Sequence, residues 1–369
     1  MKVLHVNTHM NIGGIGQYIL SLSVAIRRKG IDCIVASAGG NMEEELKASG
    51  IEHRRIDIKT KFEFAPKVFF AASGLADIIE KEKIDIIHAH TRVSQVASGL
   101  AARKTGTPCI STCHGFFKPR LSRKLFDTWG QTVVAISAPV KAHLQMDFKI
   151  DPSRIELIHN GVDIERFSKN YSNGQIAEIK RSLGLKDGPV IGTMGRLSSV
   201  KGQRFLVEAM KYVAAKESRA QCMIIGSGPE EGALKDFARS LGIEDRIKFT
   251  GSIYKDIASY LACMDVFVLP SIKEGLGLAL LEAMASGRPC VASDVGGIVD
   301  IITDGVNGII APVANGVAIA DAVLKILDDK SLSSRLAGEG RDFVKEKFPM
   351  DAMAGKMAKL YDRVISEKN

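Results

Sequence analysis

A chain of 369 residues is longer than one hydrophobic core usually serves, which favours two domains of about 150 to 200 residues each. With 46% apolar and 25% charged residues it has globular composition, which excludes a disordered or fibrous protein, and no apolar stretch of about 18 residues is present to span a bilayer as a helix. The net charge of +8 is uneven: residues 1–168 hold 23 Lys+Arg against 17 Asp+Glu, the remainder 27 against 25, an excess that suits either an anionic partner of the first half, a membrane surface or a phosphorylated acceptor, or an ordinary solvated surface.

Along the chain, short apolar runs alternate with helical patterns: a strand over 3–7, a helix over 16–29, a strand over 32–37 and a helix after Asn41. Residues 1–7 lack the charged region, apolar core and cleavage site of a secretory signal. Further strands are expected over 84–88, 108–113 and 132–136. Past Asn160-Gly161-Val162-Asp163 and the polar stretch 168–175 the pattern restarts, with strands over 189–195, 221–226, 247–251, 266–270 and 290–293. Repeated strand-then-helix units call for parallel sheets covered on both faces. The expected fold is therefore α/β, two Rossmann-like doubly wound domains facing across a cleft, with ligands at the carboxyl ends of the strands.

A Gly-rich first turn also suggests a nicotinamide-binding domain. Gly13-Gly14-Ile15-Gly16 lacks the third glycine of that fingerprint, since position 19 is Ile, and the second strand ends Ala36-Ser37-Ala38 without an acid for a ribose. The six cysteines are scattered, mostly inside apolar runs, which fits a reducing compartment. His88 and His90 share one face of a strand, but no third metal ligand is evident. There is no Asp-x-Asp to hold a divalent ion on a diphosphate.

In the second half, Gly195-Arg196-Leu197-Ser198-Ser199-Val200-Lys201-Gly202 lies between a strand and a helix. Two cations five residues apart on a loop feeding a helix N-terminus can converge on a diphosphate. The run from Ser271 to Met284 places Glu274 eight residues before Glu282, a little over two helical turns, with Gly275 and Gly277 leaving backbone amides open to a ligand's hydroxyls. Glu274 could then meet a sugar near its reacting centre while Glu282 takes two ribose hydroxyls.

This run resembles the E-x7-E motif of glycosyltransferase family 4, the retaining GT-B family that includes sucrose synthases, mycobacterial phosphatidylinositol mannosyltransferases and lipopolysaccharide-core glucosyltransferases. Similar matches recur in order: Gly13-Gly14, Thr112-Cys113-His114-Gly115, the segment 158–163, Gly195-Arg196 with Lys201, Gly226-Ser227-Gly228-Pro229, and Gly296-Gly297 followed by 304–308. The resemblance implies that Arg196 and Lys201 bind the donor diphosphate, that Glu274 contacts the transferred sugar, and that Glu282 binds the ribose. It implies amides near Gly275, Leu276, Gly277 and Leu278 on sugar or phosphate, His114 near the donor sugar, and Gly14 opening amides to the phosphate. Gly16 departs from the family pattern, where a polar or acidic residue is common, and Asp300 stands where Glu is usual.

The resulting expectation is a retaining, metal-independent hexosyltransferase using a nucleotide-diphosphate sugar, with a glycan or lipid-linked acceptor, no cofactor and no nucleic-acid partner, in cell-envelope polysaccharide or lipopolysaccharide synthesis. Domains are expected at 1–167 and 168–349, with a final helix over 350–369 returning to the first. A sugar phosphorylase, a nucleotide-sugar epimerase and an idle sugar-nucleotide-binding protein remain alternatives. Residues 117–129 suggest a basic amphipathic helix: Phe117, Leu121, Leu125 and Trp129 recur every four residues among Lys118, Arg120, Arg123 and Lys124. Such a helix either packs on its own domain or docks on an anionic membrane, and a cytoplasmic protein peripheral on the inner face of the cytoplasmic membrane is expected.

Overall fold

The computed structural model describes residues 1–119, 127–253 and 256–367. The chain divides into two compact units, one of Met1–Gly161 with the C-terminal segment and one of Val162–Pro349. The first is built on a seven-stranded parallel sheet in the order β3-β2-β1-β4-β5-β6-β7. Its strands are β1 Lys2–Val6, β2 Asp32–Ser37, β3 Glu52–Arg55, β4 Ile86–Ala89, β5 Cys109–Cys113, β6 Thr132–Ala135 and β7 Ile155–Leu157. The second has a six-stranded parallel sheet, β10-β9-β8-β11-β12-β13. These strands are β8 Val190–Met194, β9 Gln221–Ile225, β10 Ile247–Gly251, β11 Val266–Leu269, β12 Cys290–Ser293 and β13 Ile309–Ala311.

Both sheets reverse their winding order next to the first strand of the unit, between β1 and β4 and between β8 and β11. Loops leaving such a pair diverge to opposite faces and open a crevice at the carboxyl ends. Central strands such as β11, Val-Phe-Val-Leu, are buried throughout, because helices cover both faces of a parallel sheet. The helices carry local stop and start signals. Thr91 caps the helix Arg92–Thr105 by accepting the Ser94 N–H, and Gly106 closes it in a left-handed conformation.

The last helix, Met350–Ser366, buries Met353, Met357, Leu360, Tyr361 and Val364 against Tyr18, Ile19, Leu22 and Ile26 of the helix Gly14–Arg27. Each such side chain contributes about 1.5–3 kcal/mol relative to exposure. The short helix Ile164–Phe167 lies with the second unit, so the change of unit falls after Gly161, where the sequence boundary was drawn at 167. Its contacts explain the difference: it packs on the helix Leu278–Ala285 of the second unit.

The amphipathic helix expected over 117–129 falls mostly on 120–126, outside the described residues. At its described ends no helix forms. Trp129 is 2% exposed and sits edge-on to Phe148, with ring centroids 5.4 Å apart, while its carbonyl accepts the Ser111 hydroxyl at 2.7 Å. Trp129 is therefore a core residue of the first unit and not part of an outward stripe. Among the described residues no helix is long and apolar enough to cross a membrane.

Candidate active site

In the second unit, the loop after β8 is held down by its backbone before any side chain is considered. The Gly195 N–H donates to the Ile225 carbonyl at 2.9 Å and the Leu197 N–H to Ser227 at 3.0 Å. Thus Gly226-Ser227-Gly228-Pro229 supports the Arg196 loop structurally. Gln203 donates to the Arg196 carbonyl at 3.1 Å, fixing the backbone while the Arg196 side chain stays exposed. A turn at Ser199–Lys201 ends on Gly202, left-handed at φ 64°, where a Cβ would lie 2.0 Å from the Pro270 carbonyl oxygen. Only glycine fits there, and it lets the Lys201 loop close on the end of β11.

Lys201 Nζ meets Glu274 Oε2 at 2.6 Å, and Ser271 Oγ donates to the same oxygen at 3.1 Å. Glu274 is only 11% exposed. Its loop is pinned by the Gly297 N–H, which donates to the Glu274 carbonyl at 3.2 Å, and a Cβ on Gly297 would lie 2.3 Å from the Gly275 carbonyl oxygen. The sequence placed both acids within about two helical turns, but Gly275 and Gly277 keep the chain in a loop and the helix spans only Leu278–Ala285. Glu282 is its fifth residue. The Leu280 N–H turns back to the Gly277 carbonyl at 3.0 Å, so the amides of Leu278 and Ala279 are the ones left at this helix start, where the dipole favours negative charge.

Burial pushes the Glu282 carboxyl up to about 7, with the positive charge of Arg166 acting in the opposite direction. Arg166 belongs to the helix Ile164–Phe167, so a residue assigned by sequence to the first domain tunes an acid of the second unit.

In the first unit, Gly14 opens the helix Gly14–Arg27, and among the described residues a Cβ there would meet no atom within 4 Å beyond its chain neighbours and its own helix backbone. Gly16 differs: a Cβ would lie 2.7 Å from both the Asn11 carbonyl oxygen and Met42 Sδ. Packing thus accounts for the departure from the family at that position.

Beneath this helix lies a buried row of imidazoles. His5 Nδ1 is 3.0 Å from His90 Nε2, and His90 Nδ1 is 3.2 Å from His114 Nε2. His88 is held by hydroxyls at both nitrogens, Tyr361 on Nδ1 and Thr112 on Nε2, each at 2.7 Å. His5 is the third histidine the sequence did not reveal: nitrogens of His5, His88 and His90 lie within 4.8 Å of one another. Five of the six ring nitrogens are already hydrogen-bonded, which accounts for the cluster without an ion.

The row couples the proton positions. His5 Nε2 is buried without a partner, and an orphaned buried N–H is rarer than an orphaned acceptor, so the network assigns its proton to Nδ1. His5 then donates to His90, His90 donates from Nδ1 to His114 Nε2, and His114 retains its proton on Nδ1. Burial pushes the imidazoles of His5 and His114 down to about 3, so both are neutral at physiological pH. In 15N-histidine-labelled protein, long-range 1H–15N spectra at pH 7 are expected to show His5, His90 and His114 as Nδ1–H tautomers. A cationic or Nε2–H signal for His114 would overturn the assignment.

The chain matches the family model described as "Glycosyltransferase Family 4" over residues 12–166 and that described as "Glycosyl transferases group 1" over residues 175–343. It is 32% identical over 276 residues, 70% of each chain, to the UDP-Gal:alpha-D-GlcNAc-diphosphoundecaprenol alpha-1,3-galactosyltransferase of Escherichia coli. To the N-acetyl-alpha-D-glucosaminyl L-malate synthase of Bacillus anthracis it is 26% identical over 317 residues, 83% of this chain and 82% of that one. Among solved structures, Anabaena HepE in complex with UDP and glucose superposes with a TM-score of 0.88 at 21% identity, covering 98% of this chain and 100% of that chain.

Two parallel-sheet Rossmann-like units with these neighbours define a glycosyltransferase of the GT-B fold. The chain belongs to glycosyltransferase family 4.

Proposed function

We propose that the protein is a retaining, metal-independent hexosyltransferase that moves a sugar from a nucleotide-diphosphate sugar, a uridine derivative first among them, to a lipid-linked acceptor in cell-envelope polysaccharide or lipopolysaccharide synthesis. The observation that carries this reading is the Lys201–Glu274 pair beside the start of the helix Leu278–Ala285, at the carboxyl ends of β8 and β11. The relative in Escherichia coli, named for UDP-Gal and a diphosphoundecaprenol-linked sugar, and the HepE complex with UDP support the donor and acceptor classes.

In this reading Lys201 and Arg196 meet the diphosphate, whose negative charge grows as the glycosidic bond breaks, so the cations stabilise the transition state more than the ground state. They supply the charge that a divalent ion supplies elsewhere, and no cofactor is required. Glu274 and the amides from Gly275 to Leu278 hold the transferred sugar, Glu282 takes the ribose hydroxyls, and Gly14 leaves room for phosphate. His114, neutral with its proton on Nδ1, offers a hydrogen-bond donor to the sugar and not a base. The bond from C1 to the diphosphate oxygen breaks and the bond to the acceptor oxygen forms on the same face; the acceptor's proton passes to the departing phosphate oxygen. The work would take place in the cytoplasm at the inner face of the membrane.

Thermal unfolding with UDP-galactose, UDP-glucose, UDP-N-acetylglucosamine, GDP-mannose and ADP-glucose tests the donor. A ligand at 100 times its dissociation constant adds about 2.7 kcal/mol, or roughly 5–10 °C for a domain of this size. The stabilising donor should then release its nucleoside diphosphate only when a polyprenyl-diphosphate sugar is added, with the anomeric configuration kept in the product and the rate unchanged by EDTA. Donor turnover with inorganic phosphate alone, or epimerised donor, would instead indicate the phosphorylase or epimerase.

A further inference from the structure

Residues 57–70 of the first unit have no part in the site described above, and although Ile58 and Val68 are buried, four aromatic side chains of the segment stay in solvent. They comprise most of the connection from β3 and the first turn of the helix Pro66–Glu82, and expose Phe62 (75%), Phe64 (40%), Phe69 (53%) and Phe70 (78%). Among the described residues these are the only exposed phenylalanines. The helix spends its core positions elsewhere: Val68, Ala71, Ala72, Leu75 and Ile79 pack with Leu4, Val6 and Ile87 of the sheet. Phe69 and Phe70 fall between them, on positions that a surface helix ordinarily gives to polar residues. Phe62 projects from a fixed turn, its N–H donating to Thr60 Oγ1 at 3.1 Å and its carbonyl accepting the Ala65 N–H at 3.3 Å.

The acids around these rings are each paired with a cation, which leaves two lysines to set the local charge. Lys59 and Lys61 are exposed. The acid between the aromatic residues, Glu63, turns inward to Arg92 Nε at 2.9 Å, where the two side chains are 14% and 7% exposed. Asp57 is paired with Lys67 at 2.9 Å. Phenylalanines with unopposed lysines suit an anionic bilayer, whose headgroups take the ammonium groups while the rings enter the acyl boundary. The core of a protein–protein interface is instead depleted in lysine.

We propose that Phe62, Phe69 and Phe70, with Lys59 and Lys61, dock the first unit on an anionic phospholipid surface. The inference deepens the lipid-linked acceptor reading, and it places membrane contact at 59–70 and not at 117–129.

The test is co-sedimentation of the full chain with vesicles of phosphatidylcholine containing 30% phosphatidylglycerol, and with phosphatidylcholine alone, in the absence of any sugar. The unmodified protein should pellet with the anionic vesicles at low salt. The variant F62S/F69S/F70S should lose about tenfold or more of its partition coefficient. Replacing the cations in K59S/K61S should lower binding roughly fivefold per lysine and flatten the salt dependence. Far-UV circular dichroism, melting temperature and stabilisation by a nucleotide sugar should be unchanged in both, since none of these side chains is core.

The proposal is overturned if the unmodified chain ignores anionic vesicles, or if R123S/K124S abolishes binding while the phenylalanine variant retains it. It is also overturned if the phenylalanines prove to hold two copies of the chain together in sedimentation equilibrium without supporting vesicle binding. Because vesicle binding is read without donor, a failure here leaves the donor test standing, and failure of every donor leaves this test standing.

Discussion

Arg196→Ala and Lys201→Ala are each expected to lower turnover by about tenfold to a thousandfold, because each removes positive charge from the place where the leaving diphosphate becomes more negative. The two should differ in everything else. Arg196 is exposed and its loop is held through its backbone, so its loss should leave the melting temperature unchanged. Lys201 is paired with Glu274, and its removal strands a carboxylate that is 11% exposed with Ser271 as its remaining described hydrogen-bond partner. Some destabilisation should follow. Removing the other member gives the opposite signature: Glu274→Gln releases Lys201, so UDP affinity should hold or rise while sugar transfer falls. The double variant R196A/K201A should lose less than the product of the single losses, since neighbouring charges on one group do not act independently. Steady-state rates and UDP titrations of the four variants check this. Silent single substitutions, or a rate abolished by chelation and restored by magnesium, would sink the proposed diphosphate site.

That pair shows where sequence reading stops. Lys201 and Glu274 are 73 positions apart, and each is legible in its own loop; that they touch follows only from β8 and β11 being neighbours in the sheet. The same holds for His5, which looks like any polar residue in a short strand until β1 pairs with β4 and sets it opposite His88. Tyr361 is farther still, 273 residues from the His88 nitrogen it meets.

A central strand such as β11, Val-Phe-Val-Leu, was legible because burial on both faces leaves it apolar throughout. By contrast β3, Glu-His-Arg-Arg, carries no apolar signal, because a sheet edge is kept charged against further pairing. β7 and β13, three residues each, are too short to show a period. Helix ends were the weaker part. Eight residues from Glu274 to Glu282 read as helix by count, but Gly277 at φ 103° ends the loop only five residues before Glu282. The exposed phenylalanines were missed for a related reason: without the inward positions of the helix Pro66–Glu82, Phe69-Phe70 is indistinguishable from core.

Glu282→Gln is expected to raise stability at pH 8 and to leave it unchanged near pH 4. The Glu282 carboxyl stands at about 7 in the folded protein against an ordinary value of 4.5. Below the lower value it is protonated in both states and carries no penalty. Between the two, the folded protein holds a proton that the unfolded chain has released, so stability falls as pH rises. Above about 7 the whole cost of a desolvated carboxylate is present, on the order of 3 kcal/mol. Glutamine removes that cost, and urea unfolding of the two proteins from pH 4 to pH 8 should give curves that coincide in acid and diverge toward alkali. Donor binding should run the other way. Two ribose hydroxyls donate to a carboxylate better than to a carboxylic acid, so the unmodified protein should gain donor affinity from pH 6 to pH 8 and release a proton on binding. The glutamine variant should bind about tenfold to a hundredfold more weakly at pH 8 with no pH dependence of its own, while the bound complex turns over at a similar rate. Calorimetric titration in buffers of different ionisation enthalpy reads both the affinity and the proton. An unchanged affinity with a collapse in turnover would move Glu282 from the ribose to the reacting centre.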